Sequence, residues 1–133
     1  MRDGYAHGRG RALSPGELGA ELGERATLVQ FSTAFCQPCR ATRRTLGEVA
    51  AMVDGVAHVE IDAERRLDLV RALDIARTPT VLVLDAEGRV VRRGAGLPRK
   101  ADVIAALGRA VADRGTDPDT GTDMARETPA DRP

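Results

Sequence analysis

The sequence feature that most restricts the possible folds of this chain is a set of three strand-like segments separated by helical patterns. The segments are ATLVQFST at 26–33, VAHVEID at 56–62 and TVLVLD at 80–85, and each is rich in β-branched and other apolar residues. Strands that alternate with helices pair in parallel, because each crossover returns the chain to the same end of the sheet. The sequence therefore predicts an α/β fold, with the uninterrupted apolar run at 80–85 buried on both faces.

The residues after the third strand predict a β-hairpin. DAEG at 85–88 has glycine where a turn needs a positive φ, and RVVRR at 89–93 is typical of the returning strand. A hairpin adds antiparallel strands at one side of the sheet. We therefore expect a central mixed β-sheet flanked by helices.

Helical periodicity occupies the intervals between the strands. Ser14, Pro15 and Glu17 form an N-cap, a first-turn proline and a capping box, and they predict a first helix that runs to about Gly23. A second helix is expected to begin at Cys36. The apolar stripes of the later helices are Leu46, Val49, Ala50 and Val53, then Leu69, Val70 and Leu73, and finally Val103, Ile104, Leu107, Ala110 and Val111.

The chain of 133 residues has the length of one domain with a single core. We expect this domain over residues 13–113. Residues 1–12 and 114–133 are polar and contain little that could be buried, so both are predicted to be disordered.

Composition argues against several classes of partner. Lys plus Arg and Asp plus Glu both number 20, which gives no electrostatic bias toward nucleic acid or an anionic membrane. No apolar run reaches the ~20 residues that cross a bilayer, and the first residues lack the hydrophobic core of a secretory signal. We expect a cytoplasmic monomer without nucleic-acid or membrane partners.

The two cysteines, Cys36 and Cys39, follow a predicted strand and open a predicted helix. The unpaired N–H groups of a first helical turn favour negative charge, and such settings lower the pKa of a thiol from ~8.5 to ~3.5–7.5. Cys36 would then be a nucleophile near neutral pH, and Cys39, one turn further, could attack the mixed disulfide that Cys36 forms. Pro38 is tolerated between them because its missing N–H would have had no partner there.

Two other interpretations of the cysteine pair stay open. Free cysteines are often simple buried apolar residues. Structural zinc usually needs four ligands, and this chain adds only His7 and His58 to its two thiols. Two chains could share four cysteines, or the pair could hold a soft monovalent ion.

The stretch VQFSTAFCQPCR, the later TPT and GRVVRRGAGL together resemble the thioredoxin family in the order of its active-site segments, over roughly residues 14–113. The resemblance implies a thioredoxin-like fold and a thiol–disulfide oxidoreductase. It implies that Cys36 attacks and Cys39 resolves, and that Pro79 follows a cis peptide bond. It also implies disulfide-bonded proteins as substrates, a disulfide reductase as electron donor, and no bound cofactor or metal.

The resemblance also predicts a shallow substrate surface. Thr78 would offer free backbone groups to an extended substrate segment, and Gly96 would leave room for it. Phe35 takes the place of the family's usual tryptophan and keeps an apolar platform. The predicted surface comprises Phe35, Gln37, Pro38, Thr78, Pro79, Ala95 and Gly96.

Three positions depart from the family pattern. Gln30 replaces the buried acid, His58 aligns with the lysine that faces it, and Gln37 replaces a common glycine. We hypothesise that Gln30 and His58 form a neutral polar pair in which His58 is either a base or a hydrogen-bonded histidine under the sheet. Because Gln30 cannot take a proton, a binding module with little redox turnover is an alternative function.

Overall fold

The computed structural model describes residues 11–115, so the predictions of disorder for 1–10 and 116–133 lie outside the described residues. The elements in chain order are α1 (Pro15–Leu18), β1 (Ala26–Ser32), α2 (Gln37–Met52), β2 (Val56–Asp62), α3 (Leu67–Ala72), β3 (Thr80–Asp85), β4 (Val90–Ala95) and α4 (Lys100–Gly115). No helix within this part of the chain is long and apolar enough to span a membrane.

The four strands form one mixed sheet in the order β2-β1-β3-β4. β1 runs parallel to β2, whereas β3 is antiparallel to both β1 and β4. The turn between β3 and β4 depends on Gly88, which has φ 86° and whose Cβ, if present, would collide with the carbonyl oxygen of Leu13. The central mixed sheet predicted from the sequence is confirmed, but the predicted parallel pairing of the third strand is wrong, because β3 runs antiparallel to β1.

The core consists of two apolar clusters, one on each face of the sheet. Every residue of β1 and of β3 is buried, and alternate side chains enter opposite clusters because successive side chains of a strand point to opposite faces. One cluster includes Leu13, Leu18, Val29, Phe31, Ile61, Leu69, Leu73, Leu82 and Leu84. The other includes Leu28, Leu46, Val49, Val81, Val83, Val103, Ala106, Leu107 and Ala110. The central strands β1 and β3 thus lie between two packed layers, and the C-terminal end of β1 lies beside the N-terminal end of β3.

Helix α1 is shorter than the sequence predicts. Its capping box is present, with the Glu17 N–H donating to the Ser14 hydroxyl at 3.1 Å. The helix nevertheless ends at Leu18, because Gly19 adopts a left-handed conformation (φ 76°) and its N–H donates to the carbonyl of Pro15. The prediction that it runs to about Gly23 is wrong.

The predicted stripe of α4 is wrong at one residue. Ile104 is 40% exposed, whereas Val103, Ala106, Leu107 and Ala110 are buried against the sheet. Ile104 therefore lies outside the buried face of the helix.

The described fold includes four residues that the sequence analysis assigned to the disordered segments: Arg11 and Ala12 at the N-terminal side, and Arg114 and Gly115, which end α4. Ala12 forms an isolated β-bridge with Arg89, and the carbonyl of Arg11 accepts the N–H of Val90 at 3.1 Å. Both contacts cover the outer edge of β4 near the hairpin turn.

Candidate active site

The two cysteines lie where β1 passes into α2. Cys36 is the N-cap of α2 in an extended conformation, and it is partly exposed. Cys39 lies in the first turn and is 1% exposed. A disulfide joins them, with the two Cα atoms 5.2 Å apart. One sulfur can therefore be reached from solvent, and the other cannot.

The helix start supplies a hydrogen-bond donor to the exposed sulfur. The N–H of Cys39 lies 3.1 Å from the Cys36 Sγ and also 3.1 Å from the Cys36 carbonyl oxygen. A backbone donor and the N-terminal end of a sixteen-residue helix both favour negative charge on that sulfur. Opening of the disulfide would leave Cys36 with a stabilised thiolate.

The residues flanking the pair are accessible. Gln37 and Pro38 are both exposed, and Pro38 occupies the first helical turn as predicted. Its carbonyl accepts the Thr42 hydroxyl at 2.8 Å. The Phe35 ring is 99% exposed, which is unusual for a side chain that gains so much from burial. An apolar ring in this position provides a contact surface beside the reactive sulfur.

Two further segments lie close to the cysteine loop. The Thr78–Pro79 peptide bond is cis, and the hydroxyls of Thr33 and Thr78 are 3.4 Å apart. The Gly96 N–H donates to the carbonyl of Pro79 at 2.8 Å, and Gly96 has φ 88°. Ala95 is the register partner of Thr80, so it lies at the same end of the sheet as Pro79. The structure thus brings these segments together, but Pro79 is buried, unlike the other residues of the predicted substrate surface. The roles of these segments in substrate binding stay predictions.

Gln30 connects the buried cysteine to His58. Its side-chain nitrogen donates to the Cys39 carbonyl at 2.8 Å and to the Ser32 hydroxyl at 2.9 Å. Its Oε1 lies 3.2 Å from His58 Nε2, and since an amide oxygen only accepts, the histidine nitrogen donates. Gln30 is fully buried and its hydrogen-bonding groups are satisfied. The two residues that we paired from the sequence are in contact.

The surroundings of His58 favour the neutral form of the imidazole. Burial lowers the pKa of His58; the negative charge of Glu60 opposes this effect, and the positive charge of Arg43 adds to it. Arg43 donates two hydrogen bonds of 2.7 Å to the Glu60 carboxylate, and this pairing holds the pKa of Glu60 below its ordinary value. Sequence analysis missed the Arg43–Glu60 pair because the two residues are distant in the chain and both belong to ordinary solvated charge patterns.

We expect stability to fall below pH 6.5 in the wild type more steeply than in His58→Gln. Because the pKa of His58 is lower in the folded state, the unfolded state binds more protons between the two pKa values. The free energy of unfolding therefore decreases as the pH drops through that window. Glutamine keeps an N–H donor for Gln30 but does not titrate. Urea unfolding at about pH 7.5 and about pH 5.5 measures how much the free energy of unfolding of each protein changes with pH. An equal change of the free energy of unfolding with pH in the two proteins would contradict a lowered pKa of His58 in the folded state.

Within residues 11–115 no three or more His, Cys, Asp or Glu side chains come together in a way that could hold a metal ion. His7, which we considered as a fourth zinc ligand, lies outside these residues.

A Cys-x-x-Cys disulfide between a central strand and its helix, beside a cis proline at one edge of a mixed sheet, defines a thioredoxin-like protein with a disulfide-capable site. The family model for thioredoxin matches residues 17–109, more than half of the sequence, and the chain therefore belongs to the thioredoxin family.

Known proteins with similar sequences are distant relatives. Thioredoxin domain-containing protein 2 of Homo sapiens is 30% identical over 86 residues, a match that covers 65% of this chain but only 16% of that protein. Thioredoxin of Mycoplasma pneumoniae is 26% identical over 89 residues, which cover 67% of this chain and 84% of the relative.

Solved structures show the same fold. Chloroplastic thioredoxin z superposes with a TM-score of 0.60 at 27% identity, over 67% of this chain and 80% of that one. Thioredoxin from Trypanosoma brucei brucei superposes with a TM-score of 0.58, at 19% identity and over 68% and 79% of the two chains. At 19% identity the latter comparison bears on the fold alone.

Proposed function

We propose that this protein is a thiol–disulfide oxidoreductase that exchanges its Cys36–Cys39 pair with disulfides of other proteins. The observation that carries the proposal is the asymmetry of the pair: Cys36 is partly exposed at the N-cap of α2, and Cys39 is buried one turn away. The exposed sulfur can attack a bulky substrate, while the buried one is kept for the intramolecular step.

The reaction has two exchange steps. In the first, the Cys36 thiolate attacks one sulfur of the substrate disulfide, forms a mixed disulfide and releases the first substrate thiolate. In the second, the Cys39 sulfur attacks Cys36, which forms the Cys36–Cys39 disulfide and releases the second substrate thiolate. Two electrons pass from the dithiol to the substrate, and the two thiol protons end on the released substrate thiols. A separate disulfide reductase would return two electrons and two protons.

The surface around Cys36 suits an extended protein segment. Phe35 and Pro38 offer exposed apolar area, and the partly buried Thr78 lies at the cis bond, where its backbone can accept strand-like pairing. Gly96 adds no side chain beside this segment. These features support a protein substrate rather than a small molecule held in a deep pocket.

One observation favours a second candidate, a binding module with little turnover. Gln30 is buried and donates to the Cys39 carbonyl, yet its amide cannot take a proton from the Cys39 thiol. Slow deprotonation of Cys39 would leave mixed disulfides long-lived and substrates bound.

Reduction of insulin by the dithiol, with a chemical reductant in excess, separates the two functions. Multiple turnovers per molecule support the oxidoreductase. Capture of the substrate in a stoichiometric mixed disulfide without turnover supports the module. Absence of both reactions would rule out the redox proposal.

A further inference from the structure

A cavity of about 300 Å³ lies between β4, the loop that follows it and the first turns of α4. Its floor is apolar and is formed by Val81 and Val83 from β3 with Val103 and Ala106 from α4. Arg92 and Arg99 belong to its lining, as do Leu97 and Pro98 of the connecting loop. The volume is at the lower end of the range that binds organic ligands or a side chain of a partner.

Two of the three arginines of the lining, Arg92 and Arg99, carry positive charge that no acidic residue within 11–115 pairs. Among residues 11–115, neither Arg92 nor Arg99 forms an ion pair, and both are exposed. Asp102 is the acidic residue of the lining, and it pairs with neither of them. The third arginine of the lining, Arg93, donates instead to the carbonyls of Leu73 and Asp74, which lie at the end of α3. Two guanidinium groups over an apolar floor suit a carboxylate carried on an aliphatic stem.

The cavity is continuous with the predicted substrate surface. Ala95 and Gly96 belong to both, and Gly96 is hydrogen-bonded to Pro79 at 2.8 Å. The exposed Arg77 guanidinium lies beside Gly96, with its Nη2 3.4 Å from the point that a Cβ there would occupy. A Cβ at Gly94 would meet no atom within 4 Å, so the cavity opens over that residue. Positive charge therefore extends from the cis proline to the cavity.

We propose that the cavity is a second contact site for the protein substrate and binds an Asp or Glu that lies in the segment next to the target disulfide. The inference rests on the proposed oxidoreductase function and adds a substrate class to it, namely disulfides with acidic flanking sequence. The occupant is a segment of the substrate because the cavity shares two residues with the surface where the substrate is expected to lie. An apolar floor holds the methylene groups, and Arg92 and Arg99 bind the carboxylate.

Three disulfide-bonded peptides that differ only in the flanking residues, Glu, Gln or Lys, test this site. We expect kcat/KM for the Glu peptide to exceed that for the Gln peptide by roughly three- to tenfold, through a lower KM, and the Lys peptide to be poorest. The preference should shrink at high salt, since the ion pairs involve exposed groups. Equal kcat/KM for the Glu and Gln peptides would overturn the proposal.

Substitutions of the two arginines test whether the preference for the Glu peptide over the Gln peptide arises from the cavity. The Glu-to-Gln ratio of kcat/KM is expected to fall to about one in the double variant Arg92→Ala/Arg99→Ala and to be partly restored in Arg92→Lys/Arg99→Lys. The matched control is Arg109→Ala, an exposed arginine of α4 outside the cavity lining, which should keep the wild-type ratio. A ratio that survives in the double alanine variant would overturn the proposal.

A binding measurement separates this site from the redox function. Cysteine-free Glu and Gln peptides with a fluorescent label report binding without chemistry. Tighter binding of the Glu peptide, lost in the double alanine variant, supports the site even if no disulfide is reduced, in which case only the oxidoreductase proposal fails. Equal affinities of the two peptides would count against the site.

Discussion

Cys36→Ser is expected to abolish disulfide reduction completely, whereas Cys39→Ser is expected to retain the first attack and accumulate a mixed disulfide with the substrate. A serine hydroxyl is not ionised near neutral pH, so without the Cys36 thiolate no exchange can begin. Without Cys39 the mixed disulfide has no intramolecular partner to resolve it. Insulin reduction measures turnover, and non-reducing electrophoresis with mass spectrometry detects the trapped complex.

A matched serine substitution controls for the Cys36 and Cys39 variants. Ala51 is exposed near the far end of α2, so Ala51→Ser changes the same helix without touching the pair, and it should keep wild-type turnover. Turnover in Cys36→Ser would contradict the assignment of the nucleophile. A Cys39→Ser protein that forms no mixed disulfide would contradict the order of the two steps.

Phe31→Ala is expected to lower the free energy of unfolding by about 3–5 kcal/mol, the usual cost of removing a fully buried aromatic side chain. Phe31 is 0% exposed and lies in the cluster with Leu18, Ile61 and Leu82. Its backbone pairs with both neighbouring strands of the sheet. The free energy of unfolding of a domain of this size is only about 5–15 kcal/mol. A large fraction of the Phe31→Ala molecules would therefore be unfolded at moderate urea concentrations.

Urea unfolding of the reduced protein at constant pH measures the effect of the Phe31 substitution. The control is Met52→Ala, because Met52 is 59% exposed and its truncation should change the free energy of unfolding by no more than about 0.5 kcal/mol. A loss below about 1 kcal/mol for Phe31→Ala would contradict the role of Phe31 in the core.

Local patterns predicted the strands and the cysteine pair well. TVLVLD indicates a strand buried on both faces because such uninterrupted apolar runs have few other solutions, and β3 is buried throughout. Cys36 and Cys39 were recognisable from their spacing at a strand–helix junction. The contact between Gln30 and His58 was also predictable, but only because the family resemblance implied that these two side chains face each other.

Features decided by packing were harder to predict. The sequence analysis placed the end of the first helix at about Gly23, whereas in the structure Leu18 is buried and the left-handed Gly19 ends the helix. Val103 and Ile104 are adjacent, so the helical period alone cannot say which of them faces the sheet. In the structure Val103 is buried in the core together with Ala106, Leu107 and Ala110.

The charged network around the site depends on strand register. In the parallel pairing of β1 with β2, Gln30 is opposite Glu60, and this register brings Arg43 of α2 to the Glu60 carboxylate. No local pattern encodes that pairing. The cavity beside β4 likewise arises from the spacing between a strand and a helix, so its arginines look like ordinary surface charge in the sequence.

Equilibration with glutathione mixtures of graded oxidation, followed by rapid acid quenching and mass spectrometry, tests the central claim most directly. We predict one two-electron transition between the dithiol and a single-chain disulfide that has lost two hydrogen atoms, with a tenfold change in the equilibrium constant for every ~30 mV. If both thiols remain free under strongly oxidising mixtures, or if only disulfides between separate chains form, the proposed Cys36–Cys39 redox couple is wrong.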